Sequence, residues 1–153
     1  MHCNNQLSTS LVPVVHIADS APGDYEQLNA ELDSTETKLK FFTTANAAIC
    51  HARQGDRSRG GNLWFVNGQL PEMSGTELVA ILREIFGQAA LVMVGDQYNK
   101  QQEIAAVVAG ASMYVCKPVC SALVANLCGS LRLEPDIPSL AAERASAHQP
   151  RSP

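Results

Sequence analysis

With 153 residues, 46% of them hydrophobic, the chain has material for one ordinary domain with a full core and not for two. A formal charge of −4 gives no electrostatic ground for a nucleic-acid or anionic-membrane partner. Charged residues make up only 17%, against roughly 25% in soluble domains, so uncharged surface reads as contact surface.

No transmembrane run is present, and Met1 to Ser10 lacks the basic-then-apolar order of a signal peptide, which points to a cytoplasmic protein. The cysteines Cys3, Cys50, Cys116, Cys120 and Cys128 are odd in number and irregular in spacing, which argues against a disulfide framework. Cys116 and Cys120 form a Cys-x3-Cys with no second pair nearby to complete a zinc site. The cysteines are therefore expected as small buried hydrophobes, and no metal or other cofactor is expected.

In chain order, Val12 to Ala18 reads as a first strand, followed by a helix with Tyr25, Leu28 and Leu32 on one face. Leu39 to Phe42 is a second strand, and Ala45 to Ala52 a short helix. Gly55 to Asn62 is flexible by composition. Leu63 to Val66 is the third strand, and Leu78, Ile81, Leu82, Ile85 and Phe86 form the apolar stripe of the helix after it. Leu91 to Val94 is the fourth strand. The helix that follows, Lys100 to Ala109, is expected to bury Ile104, Val107 and Val108 and to stop at Gly110. Met113 to Cys116 is the fifth strand, and Pro118 is expected in the first turn of the last helix. The expected organisation is an N-terminal extension over 1–11, one domain over 12–133 and a flexible tail over 134–153, where Glu134 to Pro138 breaks structure.

Short, largely unalternating apolar strands suit a parallel sheet covered on both faces. Five strand–helix alternations predict an α/β protein: a five-stranded, doubly wound (βα)5 sandwich of flavodoxin-like layout. In such a sheet the chemistry gathers at the carboxyl ends of the strands, which singles out Asp19, Asn67, Gly95, Asp96 and Lys117.

Two stretches carry a family resemblance. Asn67 to Gly75 has Leu70-Pro71, Met73 and Gly75 after a strand-end polar residue, and Gly110 to Pro118 has Tyr114 three residues before Lys117-Pro118. Together, in this order and spacing, they resemble the CheY-like receiver domains of bacterial response regulators, over Val12 to about Leu131. The resemblance implies two acids and an acceptor aspartate that hold Mg²⁺, a Ser or Thr after the fourth strand and a Lys after the fifth. It also implies an aromatic on the fifth strand that swings inward when the hydroxyl moves.

The chain departs from that pattern. The acceptor position is Asn67, the hydroxyl position is Gly95, and Asp19 has Ala18 and Ser20 as neighbours instead of a second acid. Lys117 alone is retained. An amide is no nucleophile, and one carboxylate beside a lysine gives Mg²⁺ little reason to stay. Asp96 reads first as a solvated loop acid capping the helix near Asn99, and second as a replacement for a missing pocket acid. A Lys117–Asp19 ion pair with Asn67 bonded beside it is expected, and Tyr114 is expected as a fixed aromatic in place of a switch, because Gly95 has no hydroxyl to move.

The last helix, Val119 to Leu131, has no charged residue, so its outer positions Ala122, Ala125, Asn126, Cys128 and Gly129 are candidate interface. In receivers the surface of the fourth helix, fifth strand and fifth helix is the usual partner face. The first reading is thus a non-enzymatic pseudo-receiver in bacterial signal transduction, acting without phosphorylation through contact with a sensor kinase, an output or regulatory protein, or a second copy as a homodimer. The alternatives are a phosphorylatable or metal-binding receiver using Asp19 or Asp96, and a flavodoxin-like small-ligand binder. For the last, Asp19 to Asp24 is a poor phosphate loop because its two acids repel phosphate.

Overall fold

A computed structural model of the chain describes residues 13–55 and 62–132. Val12, the N-terminal extension, most of the Gly55–Asn62 loop and the 134–153 tail lie outside the described residues. Strand β1 (Val14–Ala18) leads through a 3₁₀ turn (Pro22–Tyr25) into α1 (Glu26–Leu32). Then follow β2 (Lys38–Phe42), α2 (Ala45–Gln54), β3 (Leu63–Asn67), α3 (Gly75–Ile85), β4 (Ala90–Gly95), α4 (Lys100–Ala109), β5 (Met113–Cys116) and α5 (Ser121–Arg132). The five strands form one parallel sheet in the order β2-β1-β3-β4-β5.

Every residue of the central strand β3, Leu-Trp-Phe-Val-Asn, is buried, as a strand covered on both faces requires. Trp64 and Val66 point to one layer of core and Leu63 and Phe65 to the other. The first layer is closed by α2, α3 and α4, and the second by α1 and α5. Edge strand β2 instead alternates, with Lys38 and Lys40 exposed, a composition that discourages pairing with another chain. Thr44, Ser74 and Asn99 cap α2, α3 and α4 by accepting from the backbone N–H three residues on. Gly110 stops α4 with φ +114°, its N–H turned back to the carbonyls of Ala106 and Val107.

Three expectations need correction. The apolar stripe of α4 faces outward: Ile104, Val107 and Val108 are 54%, 58% and 81% exposed, while Ala106 is fully buried. The inner face of α4 is instead Gln102, Ala106 and Ala109, at helical spacing, because alanines let the helix sit close to the sheet while Gln102 reaches the strand ends. Pro118 lies outside the last helix, which starts at Ser121 after a cis Lys117–Pro118 peptide. Among the described cysteines only Cys128 is buried; Cys50 and Cys120 are exposed and Cys116 is intermediate.

Candidate functional site

A parallel sheet brings all its strand ends to one side. Asp19 directly follows β1, Asn67 ends β3, Gly95 ends β4 and Lys117 directly follows β5. Asp19 is 1% exposed. Its Oδ1 accepts from the Ala21 backbone N–H at 2.9 Å. Its Oδ2 accepts from Tyr25 Oη at 2.8 Å and Asn67 Nδ2 at 3.1 Å, and lies 3.0 Å from Lys117 Nζ. A carboxylate offers about four lone-pair sites, so Asp19 is satisfied from within the chain.

Lys117 stands among three carboxylates, with Nζ 3.0 Å from Asp19, 2.6 Å from Asp24 and 3.5 Å from Asp96. Burial works against its charge, but hydrogen bonds to Asp24 and Asp19, and their charges, hold its pKa above the ordinary value. The ammonium also lies 5.5 Å from the centroid of the Tyr25 ring. Burial, reinforced by the Asp19 charge and the bond to it, pushes the Tyr25 phenol well above its ordinary range.

Sequence reasoning placed one carboxylate beside Lys117 and missed Asp24. Asp24 reaches the lysine because the 3₁₀ turn Pro22–Tyr25 folds it back over the strand ends, and no residue spacing announces that turn's direction. Asp96 does not cap α4, since Asn99 does; its side chain is 78% exposed yet within ion-pair distance of Lys117.

Asn67 is oriented on both sides. Its Oδ1 accepts from the Gln69 N–H at 2.8 Å, and its Nδ2 faces the Asp19 carboxylate, so the amide assignment has only one sense. The loop behind it is held tightly. The Gly75 N–H donates to Gly68 O at 2.8 Å, and a Cβ at Gly75 would collide with Asn67 O. Glu72 Oε1 accepts from the Ala45 N–H at 2.8 Å, placing a carboxylate at the N-terminus of α2.

The resemblance to receivers raises the question of Mg²⁺. The residues do not fit it well. Both oxygens of Asp19 are engaged by chain donors, Asn67 turns an NH₂ toward that carboxylate, and a lysine ammonium lies among the acids. Among the described residues no group of three or more His, Cys, Asp or Glu is arranged to hold a metal ion.

At Gly95 the space of a side chain is filled by others. A Cβ there would lie 2.5 Å from Tyr114 Oη and 2.8 Å from Gln102 Oε1. Tyr114 is turned in toward the end of β4: its hydroxyl is 2.9 Å from Gln102 Oε1 and 3.2 Å from Gln97 O, and accepts from the Asn99 N–H at 3.3 Å. Burial is the main cause of its raised phenol pKa. Sequence reasoning missed Gln102; the paired glycines Gly68 and Gly95 at neighbouring strand ends were the available signal.

On α5, Ala122, Ala125 and Asn126 are exposed and Gly129 is partly exposed. Cys128 is not a surface residue. It lies four residues after Val124 on the inner face and packs in the α1–α5 core layer, 5% exposed. Among the described residues the larger apolar side chains at the surface are those of α4, Tyr98, which is 63% exposed, and Val14 at the start of β1. No described helix is long and apolar enough to cross a membrane.

No family model and no curated protein matches the chain. Solved structures do. The chain is similar to a response regulator protein from Burkholderia pseudomallei, solved with a phosphorylated aspartic acid, calcium ion and citrate, at 18% identity and TM-score 0.64, over 89% of this chain and 75% of that one. It is similar to a CheY-like receiver domain protein from Methanospirillum hungatei JF-1 at 21% identity and TM-score 0.63, over 80% and 96%. A two-component response regulator from Clostridium difficile matches at 19% identity and TM-score 0.67, over 78% and 96%. What the chain shares with these proteins is their fold, the five-stranded parallel α/β sandwich of response-regulator receiver domains.

Proposed function

We propose that the chain is a non-enzymatic pseudo-receiver that signals by protein–protein contact and does not use phosphorylation at the strand-end pocket. The observation that carries this reading is Asn67. It stands where the receiver pattern puts the acceptor aspartate, and its amide is bonded to Asp19, the one buried carboxylate among the described residues. Gly95 supplies no hydroxyl, so Lys117 is the part of the receiver pattern that remains, and it is paired with acids.

The contact surface in this reading is α4 with β5 and the outer face of α5. β5 is an edge strand, and α4 and α5 cover opposite faces of the sheet beside it. Ile104, Val107 and Val108 supply exposed apolar area, and Ala122, Ala125, Asn126 and Gly129 an uncharged helix face. The partner is a kinase, an output or regulatory protein, or a second copy of the chain.

The phosphorylatable reading has one observation in its favour, the gathering of Asp19, Asp24 and Asp96 around one lysine. Incubation with acetyl phosphate, or with beryllium fluoride and Mg²⁺, followed by intact mass and amide NMR, separates the two. An unchanged mass and spectrum is expected; a phosphoryl adduct on any of these acids overturns the proposal. Light scattering and partner capture with Val107→Glu and Ala125→Glu test the surface. Unchanged mass and an unchanged partner set in both variants would count against it.

A further inference from the structure

We propose that Gln102 and Tyr114 form an internal latch, seated in the space left by Gly68 and Gly95, that holds the β4–α4 loop and the first turn of α4 on the strand ends. The two glycines end or follow adjacent strands, β3 and β4, and the Gly68 N–H is bonded to Val94 O across them. A Cβ on Gly68 would fall on Gln102 Nε2, and a Cβ on Gly95 would meet both Tyr114 Oη and Gln102 Oε1. The glutamine side chain therefore lies across both glycines, and any other residue at either position would move it.

Tyr114 completes the contact from β5. Its hydroxyl joins three parts of the same segment: Gln97 O in the loop, the Asn99 N–H at the N-cap and Gln102 Oε1 in the first turn. Asn99 in turn caps Gln102 N, so the loop, cap and latch are bonded to one another. If Tyr114 swung outward, a void beside Gly95 and the acceptor Gln102 Oε1 would be left without it. The latch thus selects one position of Tyr114 with groups of the chain itself. Gln102 and Tyr114 are positioning residues: they set the orientation of the helix that carries Ile104, Val107 and Val108.

The latch rests on the proposed function only for the use made of that helix face. Its test needs no partner and no phosphoryl donor, so failure of one reading is distinguishable from failure of the other. Hydrogen exchange read by mass spectrometry compares wild type with Gly95→Ala, which displaces the tyrosine hydroxyl, and Gln102→Ala, which removes the nearer of its two acceptors. Peptides within 96–109 are expected to exchange at least about tenfold faster in each, the equivalent of losing one or two hydrogen bonds, with β1 to β3 unchanged. Because both changes open the same contact, the double variant is expected to exceed the stronger single one by much less than the product of the two effects. If Gly95→Ala does not fold, Gln102→Met, which keeps bulk and loses the carbonyl, carries the same expectation. Unchanged exchange in 96–109, acceleration spread evenly over the whole chain, or fully independent effects in the double variant overturns the latch.

Discussion

Asn67 donates to Asp19 Oδ2 across 3.1 Å while accepting from the Gln69 N–H, and an aspartate at 67 could make only the second of these bonds. Asn67→Asp would set a carboxylate against a buried carboxylate. We expect a loss of roughly 1–3 kcal/mol at neutral pH, smaller in acid where one of the pair takes a proton. Urea unfolding at two pH values measures it. The variant is also expected to take up no phosphoryl group efficiently from acetyl phosphate, because Gly95 still lacks a hydroxyl and Asp19 is still bonded to Tyr25 and Lys117.

Lys117→Met leaves Asp19, Asp24 and Asp96 facing one another with no cation between them. A cost of about 3 kcal/mol is expected, most of it from the uncompensated charge of buried Asp19. The sign of the pH effect follows from the raised Lys117 pKa. Its contribution is complete below the ordinary lysine value of 10.5 and is lost as the pH rises through the higher folded value. Thermal melts of wild type and variant should therefore differ by a constant amount from pH 7 to 9 and converge only in strong alkali.

His16 makes the fold sensitive to acid. Its ring stacks on Trp64 with centroids 4.4 Å apart, and Nδ1–H donates to Leu63 O at 3.3 Å. Burial pushes its pKa down to about 4; the Leu63 bond opposes this, and the charges of His51 and Lys40 assist it. The unfolded chain binds the proton more readily, so stability falls with pH between about 6.5 and about 4, by about 3 kcal/mol in total. His51, also lowered by burial, acts in the same direction. His16→Phe should flatten most of this slope in urea midpoints taken across that interval; an unchanged slope would rule out His16 as its source.

Arg83 ties α3 to the end of α4. Its Nε and Nη2 donate to Gly110 O at 3.0 and 2.7 Å, and Nη1 donates to Gly87 O and Ala89 O at 3.0 and 2.8 Å. Removing it uncaps two chain segments at once. Arg83→Ala is expected to cost roughly 2–4 kcal/mol, and Arg83→Lys most of that, since a point ammonium cannot reach both sides. Chemical denaturation gives the magnitude, and a loss below about 1 kcal/mol would show the fork to be redundant.

The strands were legible because burial on both faces writes continuous apolar runs, and Leu63 to Val66 is the clearest of them. The ends of those strands named Asp19, Asn67, Gly95 and Lys117, since a parallel sheet must bring them to one side. The stripe of α4 misled because Ile104, Val107 and Val108 have the same spacing whether the helix shows them to core or to water. What decides between those is a contact from outside the helix, Gln102 over two glycines, which no periodicity within 100–109 contains. Asp24 was hidden for a similar reason. Its place depends on how a four-residue turn folds, and turn direction is set by the groups it meets. Cys128 followed the wrong cue: absence of charge from Val119 to Leu131 marks composition, while the Val124–Cys128 spacing marks the buried side.

Both oxygens of Asp19 are engaged within the chain, by Ala21, Tyr25, Asn67 and Lys117. Under the proposed reading this moves control away from the molecule. A module with no chemical off-state conveys information only through how many copies are present and how long each survives, so synthesis and turnover become its input, and its output should scale with dose.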